Sequence, residues 1–182
     1  MNNLKKHNTT IMAMNPLFDD YSSVLILGSL PGEKSLERNE YYYDTRNQFW
    51  DLICCVCEEK ANLSSYDDKR AYLVKHHIAL WDVLKTADRE GSSDNKIENP
   101  KYNDLEEFIR KHNIKVVCFN GRTASKLFSQ YLNENNIKKN SFSCKFVLLT
   151  SSSLRNTHYS LHEKKKKWKS DLDLAMRTAG LK

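Results

Sequence analysis

What this sequence lacks narrows it first. No apolar run approaches the ~20 residues of a membrane-spanning helix; Val24-Leu25-Ile26-Leu27 is among the longest. No apolar stretch follows Lys5 and Lys6, as a secretory leader would require. Cysteine is scarce and odd in number: of 5 in the chain, Cys54, Cys55 and Cys57 crowd together, too close to bridge distant segments, which argues against a disulfide framework. Cys54 and Cys57 also have no second C-x-x-C to complete a zinc or iron–sulfur set, and His76-His77 lacks the spacing of a metal motif. Core packing is the reading left for the thiols, and no metal is expected. Disorder is excluded as the global answer, because 40% hydrophobic and 10% aromatic residues suffice for a core. These exclusions leave a soluble intracellular protein with no membrane partner.

What is present starts with charge. The 182 residues carry a formal net charge of +6, and its placement is uneven. Residues 158–182 hold 7 Lys/Arg against 3 acids, Lys5 and Lys6 add two more positive charges, and the middle of the chain is balanced. A localised basic patch suits a polyanion, although a lysine run can equally be a solvated helix face.

Four short runs rich in β-branched or aromatic residues, 24–27, 78–81, 116–119 and 146–149, read as strands buried on both faces. Between them, Trp50, Ile53, Cys54 and Cys57 recur at helical spacing, as do Leu105, Phe108, Ile109 and His112, and Ala124, Leu127, Phe128 and Tyr131. Thr45-x-x-Gln48, Asn103-x-x-Glu106 and Ser160-x-x-Glu163 have the form of capping boxes. Alternation of strand and helix predicts an α/β fold: a three-layer αβα arrangement around a short, mainly parallel, four-stranded sheet. Residues 1–13 lack periodicity and read as a flexible N-terminal extension, residues 14–182 as a single domain. Residues 91–95 and 98–100 read as a long polar connection.

In such a sheet, ligands bind beyond the carboxyl ends of the strands. Those ends deliver Gly28-Ser29-Leu30-Pro31-Gly32, then Asp82, then Asn120-Gly121, then Thr150-Ser151-Ser152-Ser153-Leu154-Arg155-Asn156. The first loop, read on through Glu33-Lys34-Ser35, is one residue short of a phosphate-binding P-loop and lacks the third glycine of a dinucleotide fingerprint, which disfavours a nucleotide-using enzyme.

Leu25-Ile26-Leu27-Gly28-Ser29-Leu30-Pro31-Gly32, followed by Ser35-Leu36, Tyr41-Tyr42, Arg46-Asn47 and Phe49-Trp50, resembles the first motif of the uracil-DNA glycosylase superfamily. The pattern is most similar to its hypoxanthine-DNA (deoxyinosine) glycosylase branch. Leu80-Trp81-Asp82-Val83, Gly91-Ser92-x-Asp94, Phe119-Asn120-Gly121 and residues 150–156 continue the resemblance in order, before a helix containing Lys164 and Trp168. Two loops depart from the family pattern: Asp44-Thr45 stands where His-Pro is usual, and Ser153-Leu154-Arg155-Asn156 where Ser-Pro-Ala-Asn is usual. Each loses a proline's backbone constraint.

The resemblance implies a monofunctional glycosylase that hydrolyses the N-glycosidic bond of a deaminated base, hypoxanthine or uracil, flipped out of DNA, and so initiates base excision repair. It would act without cofactor, as a monomer, in the cytoplasm with the nucleoid or, in a eukaryote, in the nucleus. A flipped base needs stacking and edge hydrogen bonds. Of Tyr41, Tyr42 and Tyr43, one or two can face the site and Tyr42 is favoured; with Phe49 it offers aromatic surface, Asn120 an amide that donates and accepts, and Gly28, Ser29, Leu30, Pro31 and Gly32 a close backbone wall. Asn47, expected in the first turn of the helix capped by Thr45, receives the catalytic role through the resemblance; its amide can hold a water but cannot take its proton. Asp44 is either a replacement base or an acid favouring the helix dipole. Ser151, Ser152, Ser153 and Asn156 fit a phosphate seat, Leu154 and Arg155 a wedge into the gap left by the base, and Lys164 and Lys165 further DNA contacts. The competing reading is a non-catalytic nucleic-acid-binding module of the same fold.

Overall fold

A computed structural model describes residues 9–59 and 61–181. Seven strands, β1 (Thr9–Met12), β2 (Val24–Gly28), β3 (Ile78–Asp82), β4 (Leu84–Arg89), β5 (Glu98–Tyr102), β6 (Val116–Asn120) and β7 (Lys145–Leu149), alternate with six helices. The helices are α1 (Glu33–Arg38), α2 (Phe49–Val56), α3 (Tyr66–Lys75), α4 (Leu105–Lys111), α5 (Arg122–Glu134) and α6 (Leu161–Thr178). The four strands expected from the apolar runs form one all-parallel sheet in the order β3-β2-β6-β7.

Every residue of β2 is buried, because the sheet is covered on both faces. Val24 and Ile26 point to a core shared with Phe49, Leu52 and Ile53 of α2, Leu73 of α3, and Trp168 and Leu172 of α6. Leu25 and Leu27 point the other way, to Leu105 and Ile109 of α4 and Leu127 and Phe128 of α5. The period of two along β2 therefore sorts the apolar residues into the two outer layers of an αβα sandwich.

Two expectations need correction. Residues 9–12 are not part of a flexible extension: Thr9–Met12 pairs antiparallel with β4, a pairing too short to leave a periodic signal in four residues. Residues 1–8 lie outside the described residues. The polar connection contains β5, which completes a second, antiparallel sheet in the order β1-β4-β5. Turn-forming residues at 91–95 and 98–100 mask this hairpin in the sequence, since Pro100 sits on an edge strand where no ladder donor is needed.

Capping is met at one helix of the three. Ser160 accepts from the Glu163 amide while Glu163 accepts from the Ser160 amide, a complete box at the head of α6. At α4 the cap is Asp104, and Asn103 instead buries its Nδ2, which donates to the carbonyls of Asp82 at 2.8 Å and Leu84 at 3.1 Å. At α2 the cap position is Gln48, three residues after Thr45. A box missed in the sequence, Ser65 with Asp68, opens α3.

Candidate active site

All four parallel strands run the same way, so their carboxyl ends share one edge, where the departing loops wall a cleft of about 820 Å³. Residues 14, 28–35, 41–42, 44, 46–47, 82, 91–95, 120 and 151–156 line it. Gly28, Ser29, Leu30, Pro31, Gly32, Tyr42, Asn47, Asp44, Asn120 and the residues from Ser151 to Asn156 are thus brought together as expected. Phe49, Lys164 and Lys165 are not among the lining residues.

Asn120, the last residue of β6, is the hub of the floor. Its Nδ2 donates to the Tyr42 hydroxyl at 3.0 Å and to Ser152 Oγ at 2.8 Å, while its Oδ1 accepts from the Ser152 amide at 2.9 Å. Both amide hydrogens are engaged, which leaves an Oδ1 lone pair as its remaining hydrogen-bonding capacity. Tyr42 adopts φ 54°, a left-handed conformation uncommon for an aromatic residue, and is held there from two sides. Phe49 stacks on its ring with centroids 3.8 Å apart and planes 8° apart, while Asn120 holds its hydroxyl. Phe49 is fully buried, so it backs Tyr42 and does not itself present a face to a base.

The glycine loop is fixed from behind by Arg89 of β4, which sequence reasoning missed. This guanidinium is 2% exposed and donates to the carbonyls of Leu30, Pro31 and Gly91. It also lies 3.9 Å from Asp94, whose Oδ2 accepts from Ser29 Oγ at 2.9 Å. Asp82, brought to this edge as its strand-end position predicts but assigned no role from the sequence, is 4% exposed in the wall beside Gly28, its register partner across β2 and β3. Its position at a strand end was the available signal for it. Burial, reinforced by the negative charge of Asp94 and opposed by Arg89, pushes its carboxyl pKa up to about 7.

Asn47 sits just before the Gln48 cap, not inside the first turn as expected, because α2 starts later than the Thr45 pattern suggested. Its Oδ1 accepts from the Phe49 amide at 3.0 Å, which fixes the carboxamide, and Nδ2 has no hydrogen-bond partner among the described residues. Asp44 grips Arg46 through both carboxylate oxygens, with Nη2 to Oδ2 at 2.6 Å, and Lys34 lies at 3.4 Å. The Arg46 hydrogen bonds hold its carboxyl well below the usual carboxylate range. Asp44 is accordingly ionised near neutral pH and a poor proton acceptor.

Lys164 requires a correction. It is 1% exposed, and its Nζ donates to Gln48 Oε1 at 2.9 Å and to the Ser153 carbonyl at 3.1 Å. Burial lowers its pKa. The residue ties the serine loop to the head of α2 and is not a surface contact for DNA; a lysine run read without tertiary context cannot distinguish the two. Lys165 is half-buried on α6. The cations on the cleft rim are instead Lys34, Arg46 and Arg155. Leu154 is 48% exposed beside Arg155. Ser152 is fully buried and its carbonyl accepts from the Gln48 amide, so Ser151 and Ser153 are its more exposed neighbours.

Residues 16–175 match the family described as the Uracil DNA glycosylase superfamily. The chain belongs to this superfamily. Among curated proteins, a superfamily relative named hypoxanthine DNA glycosylase from Methanosarcina barkeri is 32% identical over 156 residues, 84% of this chain and 92% of that protein. Another of the same name from Methanosarcina acetivorans is 39% identical over 111 residues, 59% of this chain and 69% of its own. Among solved structures, the solution NMR structure of a candidate uracil DNA glycosylase from Methanosarcina acetivorans superposes with a TM-score of 0.69 at 29% identity, covering 89% of this chain and 98% of that one. The sequence motifs at Gly28, Asn47, Asn120 and 151–156 thus lie within the matched span of a uracil-DNA glycosylase superfamily protein.

Proposed function

We propose that this chain is a monofunctional DNA glycosylase, a hydrolase that removes a deaminated base, hypoxanthine first and uracil second, from DNA. The observation that carries the reading is the superfamily match over residues 16–175 together with relatives named hypoxanthine DNA glycosylase. The cleft supports it by gathering aromatic, amide and cationic groups around a space of about 820 Å³, enough for a flipped base and its sugar.

In this reading the base enters beside Tyr42, whose ring is backed by Phe49. Asn120 recognises it through the Oδ1 lone pair left after the Ser152 amide. Hypoxanthine and uracil both present a ring N–H to such an acceptor, whereas adenine presents a ring nitrogen lone pair at that place, and two lone pairs repel. Asn47 positions the attacking water, its orientation fixed by the Phe49 amide. Asp44, kept ionised by Arg46, stabilises positive charge developing on the sugar without taking a proton. Ser151, Ser153 and Asn156 with Lys34, Arg46 and Arg155 seat phosphates, and the exposed Leu154 fills the gap in the stack. The chain acts as a monomer.

The test is base release from labelled duplexes with inosine, uracil or adenine at one position. Release of hypoxanthine with adenine left in place is the expected result. Tight binding without release from any duplex would leave only the binding-module reading.

A further inference from the structure

Asp82 is the one carboxyl group among the described residues with a buried oxygen, Oδ2, that has no hydrogen-bond partner. It ends β3 in the cleft wall, and its place is made by the absence of a side chain opposite. A Cβ at Gly28 would collide with Asp82 Oδ1 and would lie 3.4 Å from the Tyr42 hydroxyl. Gly28, Asp82 and Tyr42 therefore converge on one point of the floor, and Asn120 reaches the same hydroxyl from the other side.

The charged and titratable groups facing Asp82 are few. Asp94, from the short 3-10 turn Asp94–Lys96, and Arg89, from the end of β4, are the charged ones; the hydroxyls of Tyr41 and Tyr42 complete the set. One guanidinium thus faces two carboxyl groups. Arg89 is committed by geometry to Asp94 and to three loop carbonyls, so its charge only partly offsets burial at Asp82, which has no ion-pair partner of its own. A buried carboxyl without an ion-pair partner holds its proton to a higher pH than an exposed one. The acid's titration point, about 7, matches what general acid catalysis near neutrality asks for.

We propose that Asp82 is the general acid of base release, passing its carboxyl proton to the imidazole-ring nitrogen N7 of the flipped purine as the glycosidic bond breaks. This deepens the glycosylase reading and rests on it. In the step, the C1′–N9 bond breaks and its electron pair leaves with the base; the Asp82 O–H bond breaks and an N7–H bond forms, so hypoxanthine departs neutral. The oxygen of the water held by Asn47 bonds to C1′ and releases a proton to solvent, from which the Asp82 carboxylate is later reprotonated. Leaving-group protonation and water positioning are then divided between Asp82 and Asn47, on β3 and at the head of α2.

Single-turnover release from an inosine duplex, measured from about pH 5 to pH 9 on the full chain and its Asp82→Asn variant, tests this. The wild-type rate should be level on the acid side and fall about tenfold per pH unit once the proton is lost, with DNA binding unchanged across the break. Asp82→Asn, neutral and nearly isosteric, should melt no more than a few degrees below wild type, be slower by roughly 100-fold or more at pH 6, and show no break. A duplex carrying N7-methylhypoxanthine, already cationic, needs no acid, and the variant should release that base as fast as wild type does. Wild-type speed with the break retained in Asp82→Asn would overturn the proposal. So would an equal loss on the methylated base, which would mark a structural role. Absence of hypoxanthine release by the wild type at every pH would overturn the glycosylase reading, and this inference with it.

Discussion

Asn47 and Asp82 are both cleft residues, and they differ in what fixes them. Asn47 has its Oδ1 tied to a backbone amide, so truncation to Ala removes a positioned carboxamide and leaves the phosphate seat untouched. Asn47→Ala should lower single-turnover release by roughly 100-fold or more while DNA affinity stays within a few fold, as checked by parallel kinetics and titration. Asp82 instead imprints on folding. Its folded pKa, about 7, lies above the ~3.9 of an unfolded aspartate, so the native state holds the proton more tightly. Its cost to stability is absent below about pH 4, grows as pH rises towards 7, and is complete above that. Urea unfolding of Asp82→Asn and wild type should therefore diverge in the variant's favour between those limits; parallel curves would show that Asp82 is ionised throughout. Asn120→Ala, which removes three hydrogen bonds of the floor, should cost roughly 5- to 150-fold in hypoxanthine release, read on matched inosine and adenine duplexes.

At the scale of elements, the core strands were legible because each carries a continuous apolar run flanked by turn residues, as does Val24–Gly28. The antiparallel sheet was not, because β1 spans four residues and β5 exposes four of its five. Pattern needs length and burial to show itself. The helix heads divide along the same line. Ser160 could be identified locally, while Thr45 and Asn103 fit the capping form and are used otherwise, since tertiary bonds such as Asn103 to the carbonyls of Asp82 and Leu84 outcompete a local cap. Asn120 and the serine loop were visible as strand-end residues and Tyr42 through the motif it belongs to, but Arg89 and Lys164 look in sequence like any surface cation. Lys164 on α6 gives the sharpest consequence. Lys164→Met should slow base release by loosening the loop at 151–156 yet leave the slope of log affinity against log salt unchanged, because its ammonium faces Gln48 and Ser153. Neutralising Lys34 and Arg155 together should lower that slope by about one to two units, since each phosphate contact contributes about 0.9. Binding titrations across a salt series separate the two.

For the whole molecule, the two sheets meet at the site. β3 of the parallel sheet ends in Asp82, and two residues later β4 of the antiparallel sheet begins, carrying Arg89 to the glycine loop. β1 covers an edge of β4, so deleting residues 1–12 should cost about 2 kcal/mol, or roughly 4–8 °C in Tm, and should depress base release by loosening Arg89. Thermal melts and kinetics on the shortened chain check both.

The cleft draws on separate stretches of chain between residue 14 and residue 156, and the four that leave the ends of β2, β3, β6 and β7 are related by parallel crossovers. Parallel pairings close large loops before any contact rewards them, and such folds assemble slowly. No subset of these stretches holds the floor together, because Asn120 needs Tyr42 from one and Ser152 from another. The binding surface should therefore be completed late in folding. During refolding, recovery of duplex binding should lag the return of helical signal, a delay that a fluorescent inosine duplex can time.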